Sequence, residues 1–102
     1  MITHVVLFKL KSYTVRLLPL DREAVEVTKQ VLLNMRGRIP ELLDIEVGSD
    51  QLHSERSFDI ALITHHESWA GLDAYQVHPV HAEVGVHMKQ VLERSVSVDY
   101  ET

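Results

Sequence analysis

The stretch "ITHVVLFKL" at residues 2–10 is apolar or β-branched on both sides of any extended conformation it takes. Side chains alternate along a strand, so Thr3, Val5, Leu7 and Lys9 point one way and His4, Val6, Phe8 and Leu10 the other. Such a composition favours a strand, and one covered on both faces. Whatever packs on one side of this segment, the other side needs cover as well.

The rest of the chain supplies the partners. Residues 12–20 read as a loop. A helix is expected to begin near Asp21, a good N-cap residue, with Leu20 and Val25 placed for a hydrophobic staple. Leu20, Ala24, Val27, Val31 and Met35 follow helical spacing and form one apolar stripe. Gly37 can end this segment in a left-handed conformation, and Pro40 prevents its resumption. Residues 42–50 alternate, with Leu43, Ile45 and Val47 opposite Asp44 and Glu46, and residues 58–66 alternate Phe58, Ile60, Leu62 and Thr64 with Asp59, Ala61 and Ile63. Both predict strands. Ser68 can cap a short helix over 69–77 that buries Leu72 and Tyr75 or Trp69. Pro79 suits the first position of a further helix, where its missing N–H costs nothing, and Val80, Val84, Met88 and Val91 form that helix's stripe. Residues 94–101 alternate Val96, Val98 and Tyr100 with Ser97 and Asp99, a last strand.

The order is β-α-β-β-α-β, the ferredoxin-like split arrangement of the α+β class, with an antiparallel four-stranded sheet and helices on one face. The opposite face is then left to a ligand or a second subunit, because an apolar surface of several hundred Å² does not stay in water without consequence. At 102 residues the whole chain, 1–102, suits one domain.

Composition narrows the function. A formal net charge of -5 with scattered Lys and Arg disfavours nucleic acid. The absence of cysteine removes disulfides, thiolate nucleophiles and zinc knuckles. The N-terminus lacks the features of a signal peptide, and no apolar run approaches the roughly 18 residues that span a bilayer. A soluble, cytoplasmic protein with no membrane partner is the expectation. No Gly-rich phosphate loop, nucleophile elbow, flavin fingerprint or NAD fingerprint is present, and no cofactor is expected.

Histidine is the one excess, with seven in the chain. Three residues of "YQVHPVHAEVG" (75–85), Tyr75, His78 and His81, fall around a helix start. With Pro79 as the first helical residue, His81 sits in the first turn, where the helix dipole disfavours imidazolium and lowers the pKa. A neutral imidazole can act as a general base. Tyr75, one turn earlier, can donate a hydrogen bond to a carbonyl or enolate oxygen, and a central first strand can present His4 to the same place. The same residues also serve as a helix joint, and spacing alone favours that structural reading over the catalytic one. No metal site is expected: His78, His81 and Glu83 lack a recognised ligand spacing, and the adjacent His65 and His66 point to opposite faces of a strand.

"THVVLFKLK" (3–11), "IPELLDIEVGSD" (39–50), "ERSFDIALIT" (55–64), "LDAYQVHPVH" (72–81) and "SVDYE" (97–101) run nearly end to end. On these stretches, and above all on the A-Y-x-x-H-P-x-H string, the chain resembles the stress-responsive A/B barrel (Dabb) domains of the dimeric α+β barrel superfamily. The resemblance implies a homodimer whose two sheets pack face to face into a barrel, with a cavity between sheet and helices in each subunit. Plant polyketide cyclases of this family, which catalyse an aldol condensation, look similar at His4, Tyr75 and His81. By that likeness His81 is the catalytic base, Tyr75 and His4 orient or polarise the substrate, and His78 belongs to the ligand pocket. A first-helix tyrosine of those cyclases is Leu32 here. The expectation is therefore a protein of undetermined role that binds a small hydrophobic or carbonyl-containing ligand. The alternatives are a cyclase-like aldol or lyase enzyme and, with less to support it, a haem-linked monooxygenase as in neighbouring families.

Overall fold

The computed structural model describes residues 1–11 and 20–102, residues 20–22 by their backbone alone. The elements are β1 (Ile2–Leu10), α1 (Leu20–Leu33), β2 (Asp44–Ser49), β3 (Ile60–His66), α2 (Trp69–Gln76), α3 (Pro79–Val91) and β4 (Leu92–Glu101). This is the expected βαββαβ order, with the second helical segment divided at the His78–Pro79 step. The strands form one antiparallel sheet in the order β2-β3-β1-β4, so β1, apolar on both sides, is central.

The helices cover one face of the sheet. There Ile2, Phe8 and Leu10 of β1, Ile60 and Leu62 of β3 and Ile45 of β2 meet Leu32, Met35, Leu72, Val80, Val84 and Met88. Each fully buried side chain of this size contributes about 1.5–3 kcal/mol. On the other face, Val5 lies between Val98 of β4 and Ile63 of β3, and Leu7 between Val96 and Ala61. Val96, Val98 and Tyr100 are 49%, 61% and 45% exposed. This is the apolar face that β1 alone predicts to need a cover.

Several local expectations shift. On α1, Val27 is 52% exposed, while Thr28 and Leu32 are buried. The inward stripe is rotated because the Thr28 hydroxyl meets His87 Nε2 of α3 at 2.8 Å, which lets a polar residue sit in the seam between two helices. The 12–19 part of the expected loop, the Asp21 cap and the Leu20 side of the staple lie outside the described residues. Residue 20, expected in the loop, is already in α1. Gly37 does take a left-handed conformation (φ +77), at the end of the turn that follows α1. β2 starts at Asp44, with Leu43 exposed and Leu42 buried in its place. β3 starts at Ile60, and Phe58 precedes it with the Arg94 guanidinium 5.1 Å above its ring. α2 buries Leu72 and Tyr75, and Trp69 remains exposed. β4 begins at Leu92, directly after α3, with a register shift opposite Lys9 and Leu10. Among the described residues, no helix is long and apolar enough to cross a membrane.

Candidate functional site

Strand pairing sets the floor of the site. His4 pairs across the sheet with Asp99 on one side and Thr64 on the other. Directly opposite residues point to the same face, so all three side chains rise toward the helices, and His66, two residues beyond Thr64, rises with them. His4 Nδ1 is paired with Asp99 Oδ1. With Asp99 ionised, that nitrogen carries the proton, and Nε2 is left for a ligand.

His66 is fully buried. Its Nδ1 lies 2.8 Å from the Glu41 carbonyl oxygen and its Nε2 lies 2.8 Å from Thr64 Oγ1. A carbonyl only accepts, so Nδ1–H donates to it, and Nε2 accepts from the Thr64 hydroxyl. Both nitrogens of a neutral ring are thereby satisfied. Burial holds the His66 pKa below the ordinary histidine value, and the neighbouring His4 acts in the same direction.

The helices supply the roof. Ser68 caps α2, its hydroxyl accepting from the Gly71 N–H at 3.1 Å. One face of this short helix carries Tyr75 down onto the histidines. The Tyr75 ring centroid is 4.7 Å from that of His66, 4.9 Å from His81 and 6.2 Å from His4. Tyr75 is 0% exposed, and its hydroxyl has no hydrogen-bond partner. Burial pushes its pKa up to about 12, so the group stays an O–H donor at any physiological pH. His81, in the first turn of α3, meets the Tyr75 ring edge-on. Its pKa is lowered, as the sequence suggests, by burial first and then by the neighbouring His4.

His78 has a different position from the one expected. It is the N-cap of α3, with extended backbone, and its Nδ1 accepts from the Val80 N–H at 3.0 Å. It does not line the cavity described next. The physical reason is the proline: Pro79 fixes His78 in the extended region, which turns its side chain back along the helix start.

A cavity of about 300 Å³ lies between β1, β4 and α3. His4, Tyr75 and His81 all line it. Its remaining walls are mostly apolar: Val6 and Phe8 from β1, Leu32 from α1 and Met35 just after it, Val84 and Met88 from α3. Gln76, Ser95 and Ser97 add neutral polar groups. The three side chains singled out from sequence therefore share one space, polar at one end. Leu32, where the cyclases carry a tyrosine, makes that part of the wall apolar. Sequence reasoning missed Thr64, His66 and Asp99. The signal for them was strand alternation, which puts Thr64 and His66 on the face of Leu62, and Asp99 on the face of Ser97. Among the described residues, no group of three His, Asp or Glu side chains is placed to hold a metal ion.

The fold and site thus define a ferredoxin-like α+β domain with a histidine- and tyrosine-lined cavity between sheet and helices. The chain belongs to the stress responsive A/B barrel domain family, whose model matches residues 2–102. Among solved structures, it is similar to a dimeric ferredoxin-like protein of unknown function from Bacteroides fragilis, with 26% identity over 99% of this chain and 95% of that one and a TM-score of 0.84. A dimeric ferredoxin-like protein of unknown function from Thermobifida fusca is 26% identical over 99% of this chain and 90% of that one, with a TM-score of 0.81. A hydroxynitrile lyase from Passiflora edulis shares the fold at 18% identity, covering 97% of this chain and 90% of that one with a TM-score of 0.77. No curated protein matches the sequence.

Proposed function

We propose that this protein binds a small, largely apolar compound bearing a carbonyl-type oxygen in the cavity of each subunit of a homodimer. The observation that carries this reading is the Tyr75 hydroxyl, fully buried on the cavity wall without an acceptor. A buried hydroxyl left unpaired costs about 1–3 kcal/mol, and a ligand oxygen relieves that cost. The apolar remainder of the cavity suits the rest of such a ligand. The dimeric state of relatives with the same fold, together with the bare apolar sheet face, supports the homodimer.

A second reading, an enzyme that removes a proton next to the carbonyl, is favoured by the two imidazoles. His81 is held neutral by its surroundings and is the base. Tyr75 donates its O–H to the oxygen on which the enolate charge develops, and His4, fixed by Asp99, borders the same space. The base takes the α-proton, the electron pair moves into the enolate, and reprotonation by the same ring completes an exchange. The lyase that shares the fold is too distant to add more than the fold itself.

Both readings are tested with acetophenone in D₂O, followed by NMR. Binding shifts the signals of Tyr75, Met35 and Met88, and Tyr75→Phe weakens it by roughly tenfold, the loss of one net hydrogen bond. Deuterium entering the methyl group, and lost in His81→Ala, supports the enzyme. Binding without exchange leaves a binding protein, and no shift in the cavity ends both readings.

A further inference from the structure

The polar end of the cavity has a particular electrostatic make-up. Among the described residues, no lysine or arginine lines it. The Asp99 carboxylate stands behind this lining, paired with His4 Nδ1. Among the described residues, the only buried side-chain polar atom without a partner is a single O–H, that of Tyr75. Gln76, Ser95 and Ser97 contribute neutral dipoles.

We propose that the cavity selects compounds that are uncharged at the end that meets Tyr75 and His4, and rejects carboxylates of the same shape. This rests on the reading of the cavity as a ligand site and goes further by giving the ligand's charge class.

A ligand carbonyl needs one or two donors, and Tyr75 supplies one with no reorganisation. A carboxylate presents about four acceptor sites and a full charge. Removing that charge from water is costly unless it is paired and fully hydrogen-bonded. Here the carboxylate finds the Tyr75 hydroxyl and the neutral dipoles of Gln76, Ser95 and Ser97 but no cationic side chain, and it approaches a second carboxylate behind the His4 ring. The His4 ring offers no free counter-charge, because it is already paired with Asp99. Nor do the neighbouring rings help: burial keeps His66 and His81 neutral near pH 7, and His66 has both nitrogens committed. The apolar wall of Phe8, Leu32, Met35, Val84 and Met88 takes the hydrocarbon part of either compound equally, so the discrimination lies in the head group.

The test uses three compounds of one shape: para-butylacetophenone, para-butylbenzamide and para-butylbenzoate. Their affinities for the wild-type protein are measured at neutral pH by NMR titration, with the methyl groups of Met35 and Met88 reporting cavity occupancy. The ketone and the amide are expected to bind at least tenfold more tightly than the benzoate. Asp99→Asn, which removes the charge behind His4 at constant size, is expected to narrow that gap several-fold. Benzoate binding in the cavity as tightly as the ketone overturns the charge selection and leaves the ligand site standing. If none of the three occupies the cavity, the ligand site falls, and the charge selection with it.

Discussion

His66 and His81 occupy the same crowded cluster for different reasons, and burial gives both a pH dependence of the same sign. His66 is sealed under Tyr75 with its ring nitrogens committed to Thr64 and Glu41, and His81 meets the far edge of the same tyrosine. Both have folded-state pKa values below the ordinary 6.5. Above that value, both are neutral in the folded and unfolded chain and make no difference to stability. As pH falls through 6.5 the unfolded chain takes up protons that the folded protein refuses, so stability declines until the lowered folded values are reached. Urea unfolding at about pH 7 and about pH 5 is expected to show lower stability at the acid end. The decline should be shallower in His66→Phe, which keeps a ring beneath Tyr75 but removes one of the two groups. A wild-type protein equally stable at both values would mean that the cluster is open enough to accept protons freely. Of these residues His81 and Tyr75 were legible in the sequence, because a His–Pro joint has a local signature. His66 was visible only as one of two adjacent strand histidines, and its partner Glu41 lies on a connection whose path no local pattern reveals.

At the scale of elements, the joint between α2 and α3 serves both structure and site. Ser68 starts α2, which is short enough that Tyr75 comes near its end. His78 and Pro79 then start α3 at once, so that His81 enters one turn later beside the tyrosine. The division of work is clear: His78 caps and His81 faces the cavity. His78→Ala is expected to lower stability by about 1 kcal/mol, the usual cost of losing an N-cap side chain, while leaving ligand affinity within about twofold, a change of under ~0.5 kcal/mol. Chemical denaturation together with the acetophenone titration checks both halves. A large loss of binding with little loss of stability would return His78 to the pocket. The sequence foretold this element boundary well, since proline and its preceding residue constrain the backbone locally. It foretold α1 less well: Val27 and Thr28 exchange places because the decisive contact, Thr28 with His87, joins residues far apart in the chain.

Across the whole molecule, one face of the sheet is apolar and left uncovered by the other described residues. Val5, Leu7 and Ile63 continue into Val96, Val98 and Tyr100 of the edge strand β4, which is exposed along nearly its full length. A face of this kind is most simply covered by its own copy about a twofold axis, where the same patch serves both sides. The wild-type protein is expected to have the mass of a dimer at micromolar concentration by light scattering. Val98→Asp is expected to shift it to a monomer, since two carboxylates brought near the axis would be buried without partners. Val98 faces away from the cavity, so circular dichroism of the variant should retain the helical signal. A wild-type monomer would remove the barrel from the reading.

What the sequence determined by itself is whatever depends on local periodicity and on backbone constraint. The alternation of the strands, the two-sided character of residues 2–10, the proline joint and the histidine and tyrosine beside it all follow from rules that act within a few residues. They suffice for the α+β order, the uncovered face and three of the side chains that line the cavity. Only the tertiary structure decided the rest. Register brought Asp99 and Thr64 to either side of His4, packing sealed His66 beneath Tyr75, and the space left between α3 and the sheet became a cavity rather than a filled core. Those outcomes depend on contacts between residues distant in the chain, where burial sets which polar groups find partners and which, like the Tyr75 hydroxyl, are left for a ligand.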